Sequence, residues 1–132
     1  MGNDRAMTSD WSRLRAIADE EVRQTVQALP QKLRVAARAL PVVYEPTPNE
    51  ALVADGLEPD TLGLFVGGDR DEEEHALLPP QIILYLENIR LMIEEEEGGE
   101  KEFRFEVRTT YLHELGHYLG LDEDDLSDRG LD

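Results

Sequence analysis

Residues 100–120 read EKEFRFEVRTTYLHELGHYLG, and the reading of this stretch decides how the rest of the chain is arranged. Phe103, Val107, Tyr111 (or Thr110), Leu115 and Leu119 recur at intervals of three and four, the apolar stripe of a helix with one buried face. Glu100 and Glu102 suit a first turn, where a helix carries partial positive charge. Gly98-Gly99 marks the break before the helix, and Gly120 follows it, as glycine does just past a C-cap. Within the predicted helix stand His113 and His117. Residues four apart lie one turn apart on the same face, so both imidazoles can reach one ion at the usual Zn–N distance of about 2.0–2.1 Å. Glu114, three residues before His117, projects beside that face. Leu112, Leu115 and Leu119 are expected to point the other way, into a core.

These residue types suit one chemistry. Neutral imidazole binds zinc well, and zinc brings the pKa of a bound water from 15.7 toward about 7. A carboxylate beside that water can take its proton as it attacks a carbonyl and then hand the proton to the leaving amine. His-Glu-x-x-His on a helix is the signature of zinc proteases for that reason. Two of only three histidines in the chain fall in this motif.

A catalytic site needs a third protein ligand and one open position. Only fifteen residues follow His117, too few for a second full helix carrying a distant ligand. The nearest supply is Leu121-Asp122-Glu123-Asp124-Asp125. Glu123 is the expected ligand, with Asp124 and Asp125 as substitutes or as partners of the imidazoles. Acids just past a helix C-terminus face its partial negative charge, at about 0.3–1 kcal/mol each when exposed, and a cation would remove that conflict. His75 lies in an acidic stretch and reads as a surface residue. Tyr85, Tyr111 and Tyr118 could each stabilise an oxyanion, although tyrosines at such positions more often belong to a core or its rim.

Upstream, Trp11, Leu14, Ala18, Val22, Val26 and Leu29 form one helical stripe, with Asp10 as a reasonable N-cap. Pro30 stops this helix and opens a short second one, whose buried face is Leu33, Ala37 and Leu40. Val42-Val43-Tyr44-Glu45 is β-prone, and residues 46–60, with three prolines, read as loop. Leu62-Gly63-Leu64-Phe65-Val66 is a predicted strand with Gly67-Gly68 as its turn. Asp69 to Glu74 reads as a solvated charged loop. Gln81-Ile82-Ile83-Leu84-Tyr85-Leu86 is the strongest strand in the chain. Residues 88–97 are ambiguous: Ile89, Met92 and Ile93 have helical spacing, but Glu94 to Glu97 repel one another. Helices flanking two or three short strands make an α+β layer fold.

The 132 residues fit one domain, expected over residues 10–126 with tails at 1–9 and 127–132. A chain of this size buries roughly two thirds of its unfolded surface, enough for one core. It has no cysteine, so disulfides and thiolate metal sites are excluded. With no apolar leader and no membrane-length run, the chain is expected to be cytoplasmic. The formal net charge is −17, and Lys32 and Lys101 are the only lysines. Such a balance speaks against nucleic acid and anionic membranes as partners. It suits high solubility, and it would attract basic peptides.

The stretch 110–125, TYLHELGHYLGLDEDD, resembles a minimal zincin-like family of bacterial zinc metallopeptidases. In weaker form the resemblance extends over the helix ending at Leu29-Pro30 and the strands at 62–65 and 81–85. It implies an α+β zincin-like core with a short sheet over an active-site helix, Zn²⁺ as cofactor, His113 and His117 as ligands and Glu114 as general base. The pattern HExxHxxGxxE, with Glu123 at its end, is also similar to that of metzincin proteases. Two features depart from theirs: the last ligand there is usually His, and no methionine follows Met92 here. Some zinc-dependent bacterial endoribonucleases share the offset with three histidines; Glu114 and the charge speak against RNA. The expected function is therefore a zinc-dependent peptidase or amidohydrolase acting on a peptide or protein, laid along an exposed strand edge at 62–66 or 81–86. The alternative from a different class is a binding module that uses the metal only for folding.

Overall fold

In the computed structural model the described residues are 7–67 and 79–120. Gly68, the charged run from Asp69 to Glu74, His75, the acids Glu123, Asp124 and Asp125, the tail at 127–132 and residues 1–6 of the N-terminal tail lie outside them.

The first apolar stripe forms α1 (Trp11–Gln27). The Asp10 carboxylate accepts from the Ser12 N–H at 3.0 Å, capping a donor the helix itself cannot satisfy. Leu14, Ile17, Ala18 and Val22 form its buried face. Pro30 then starts α2 (Gln31–Arg38), which buries Ala36 and Ala37, with Leu29 and Leu40 covered at either end. The β-prone run becomes β1 (Val42–Glu45). Residues 46–60 are not wholly loop: α3 (Glu50–Ala54) forms there. Asn49 explains it, since its side chain accepts from the Leu52 N–H at 2.9 Å, an N-cap obscured in the sequence by the surrounding prolines.

Next come β2 (Gly63–Val66) and β3 (Gln81–Tyr85). The sheet order is β1-β3-β2, with β1 parallel and β2 antiparallel to β3. Val42 pairs with Ile82 and Gly63 with Leu84. β3 is thus the central strand, and its continuous apolar run suits burial on both faces. Ile82 and Leu84 enter the main core, while Ile83 and Tyr85 are buried on the other side. This corrects one expectation: residues 81–85 offer no free edge, because both sides of β3 are hydrogen-bonded.

The ambiguous run is helical. α4 (Leu86–Glu95) follows β3 with no linker and buries Leu86, Ile89 and Ile93. Arg90 offsets the acidic repulsion by gripping Glu87 on one side and Glu94, at 2.6 Å, on the other. Glu97, at φ +60°, ends the turn after it. Last comes α5 (Glu100–Leu119), where the Gly99 N–H donates to the Glu102 carboxylate at 2.8 Å. Gly120, at φ +72°, closes the helix in the left-handed conformation. The core joins α1, α4 and α5 to the inner face of the sheet. The architecture is α+β, with a small mixed sheet and a C-terminal helix carrying the histidines.

Candidate metal centre

Helical periodicity sorts α5 into two sides. Phe103, Val107, Tyr111 and Leu115 fill the core, and Leu112 is buried with them. Leu119 is only half-buried, as the end of a helix stripe tends to be. A second row, Thr110, Glu114 and Tyr118, is spaced by four and is also buried.

That second row faces β2. A Cβ placed on Gly63 would meet the Thr110 γ-methyl at 2.6 Å, so the strand backbone lies directly on the helix there. Two residues on, the Phe65 ring packs against Tyr118, with centroids 5.6 Å apart. Glu114 falls between these two contacts. Its residue is only 7% exposed, which differs from a carboxylate standing on an open face. The cause is the register of the motif: a residue directly following His113 turns about 100° around the helix, from solvent toward the strand.

The histidines behave otherwise. His117 is open, and its ring meets that of His113 edge-on with centroids 4.6 Å apart. One Glu114 oxygen lies 3.4 Å from His117 Nδ1, longer than a full hydrogen bond. A donor atom from each of His113, Glu114 and His117 lies within 4.8 Å of the others. Donors around one tetrahedral zinc sit about 3.4 Å apart. Side-chain rotations of about an ångström would bring the His113 and His117 donors to that spacing, so the two imidazoles fit such an ion, with the Glu114 carboxylate beside it.

The tyrosines fall on the structural side of their two readings. Tyr85 and Tyr111 are fully buried, and neither hydroxyl has a hydrogen-bond partner among the described residues. Burial pushes the Tyr111 phenol up to about 12. It also raises that of Tyr85, with Glu45 adding to the effect. Tyr118 is buried beside Phe65.

Sequence reasoning did not single out Gly63 and Thr110 as the contact that seats β2 on the motif helix. The signal was present: a glycine inside a strand often marks close approach by another backbone or element.

Among the described residues no helix is long and apolar enough to cross a membrane. No curated protein matches the chain. A family model described as zincin-like metallopeptidase matches residues 37–131, from within α2 through all of α5 and past Glu123. With the His-Glu-His cluster on the last helix of an α+β fold, and a family match spanning most of its length, the chain belongs to the zincin-like metallopeptidases.

Proposed function

We propose that this protein hydrolyses peptide or related amide bonds with one zinc ion held by His113, His117 and Glu123. The observation that carries this reading is the approach of donor atoms of His113, Glu114 and His117 to within 4.8 Å of one another, in a chain of this family. Zinc supplies Lewis acidity, polarising a carbonyl and acidifying water. The third ligand is assigned from sequence, since Glu123 lies outside the described residues. Gly120 supports the assignment by ending the helix three residues before it.

The remaining roles follow from the residues. Glu114, buried beside β2, is held next to the two imidazoles, within reach of a water placed between them. It takes a proton from the attacking water and returns it to the departing nitrogen. Substrate lies extended along β2. Among the described residues this strand pairs only with β3 and leaves its outer edge free, so backbone hydrogen bonding can align a peptide beside the helix. The net charge of −17 favours basic peptides.

The test is a peptide-library digest by the zinc-loaded protein, its chelated form and Glu114→Gln. Chelation should abolish cleavage. Glu114→Gln should keep one zinc per chain and lose about 10²–10⁴-fold in turnover. Cleavage by this variant at the wild-type rate would remove Glu114 from its role. Zinc bound tightly by a wild type that cleaves nothing would favour a metal-stabilised binding module.

A further inference from the structure

A concavity lies behind α5, away from the histidines. Its volume is about 310 Å³, and it opens between α1, α2 and β1, with Tyr111 among its lining residues. Tyr111 precedes His113 by two residues and so projects from nearly the opposite side of the helix. The two sites are therefore separate.

The cleft has apolar walls, including Val22, Val26 and Val42. Its polar groups are distinctive. Tyr44 donates to the Asp19 carboxylate at 3.2 Å, and Arg23 pairs with the same carboxylate at 3.0 Å. Asp19 is thereby engaged twice. Arg38, which also lines the cleft, has no ion pair among the described residues. Two guanidinium groups against one carboxylate leave the cleft locally positive on a chain whose net charge is −17. The Tyr111 hydroxyl, with less than 1 Å² exposed, has no hydrogen-bond partner among the described residues. Buried polar groups are nearly always bonded, so this orphan hydroxyl, just beneath the cleft wall, is a donor that a bound ligand atom satisfies once the side chains over it shift.

We propose that this cleft binds a small amphipathic carboxylic acid, its carboxylate toward Arg38 and its apolar body against the valines, within reach of the Tyr111 hydroxyl. Ligand cavities run from about 300 to 1,000 Å³. This one lies at the small end and suits a molecule with on the order of ten non-hydrogen atoms. Nucleic acid and large anionic surfaces are repelled by the rest of the chain, whereas a single small carboxylate meets only the local field.

Calorimetric titration of the full chain with octanoate tests this, with octylammonium and octanol as comparators, each run on zinc-loaded and chelator-treated protein. Octanoate should bind at one site per chain, equally with and without chelator, and at least about tenfold more tightly than either comparator. Arg38→Gln, a change at an exposed position, should weaken octanoate by about tenfold or more. Tyr111→Phe, which keeps the ring, should weaken it severalfold. Absence of saturable binding overturns the proposal. So does octanol binding as well as octanoate, or affinity unmoved by both variants. Binding lost on chelation would place the carboxylate on the metal instead and also overturns it. None of these outcomes depends on whether the protein cleaves peptides.

Discussion

Replacing Gly63 by alanine would set a methyl group 2.6 Å from Thr110 Cγ2, 3.3 Å from Leu84 Cδ2 and 3.4 Å from the Ile83 carbonyl oxygen. Carbon atoms in good contact sit at about 3.5–4.0 Å, so helix and strand must part by about 1 Å at this point. Thr110 cannot easily turn aside. A helical threonine has only two favoured χ1 rotamers, and the bond its hydroxyl donates to Glu106 at 3.0 Å holds it in this one. Overpacking of this kind costs about 1–3 kcal/mol. Alanine recovers about 0.5–1 kcal/mol by restricting the unfolded chain. The net expected loss is about 1–2 kcal/mol, or about 3–8 °C in melting temperature for a chain this long. Thr110→Ser removes the offending methyl and keeps the hydroxyl. Thermal and urea denaturation of the two single variants and the double variant then form a cycle. The double variant should regain most of the loss caused by Gly63→Ala, with a coupling of about 1 kcal/mol or more. Should Gly63→Ala melt with the wild type, or the two losses simply add, the close seating of β2 on α5 is refuted.

Two further outcomes follow from other contacts. The Arg90 hydrogen bond holds the Glu87 carboxyl below its usual range, against the opposing effect of burial. Its stabilisation is complete above the unfolded carboxylate value of about 4.3 and is lost as pH falls through the lowered folded value. Arg90→Gln should therefore be less stable than wild type near pH 7, and the gap should narrow as acid unfolding is followed from about pH 5 to pH 3; a gap that stays constant would mean the pair is not what Arg90 contributes. Tyr85→Phe removes a buried hydroxyl without a partner among the described residues. Urea denaturation should show it as stable as wild type or up to about 1–2 kcal/mol more so, while a clear loss would reveal a bond to that oxygen.

The parts of the fold legible in the sequence were those where one physical signal acted alone. α1 and α5 carry long stripes with a cap or a terminal glycine, and β3 is a continuous apolar run. α3 was hidden because three prolines outweighed a single asparagine cap. α4 was ambiguous because local repulsion among glutamates competes with tertiary burial of Leu86, Ile89 and Ile93 and with the grip of Arg90. At the candidate site, the shared face of His113 and His117 follows from spacing alone. The burial of Glu114 does not, because it depends on β2 lying along the row from Thr110 to Tyr118. Strand order, which leaves β2 rather than β3 with a free edge, is likewise a long-range property that no local window contains.

The family match begins at residue 37, yet Leu14, Ile17, Ala18 and Val22 of α1 belong to the same core as Phe103, Val107 and Tyr111 of α5. Trimming the gene to the matched span would strip these apolar side chains away, each contributing up to about 1.5–3 kcal/mol for the larger ones. That sum rivals the whole margin of about 5–15 kcal/mol by which a domain stays folded. The metal-bearing helix would then expose its inner side, and the fragment would aggregate. A recombinant version meant for assay or crystallisation has to start ahead of Asp10.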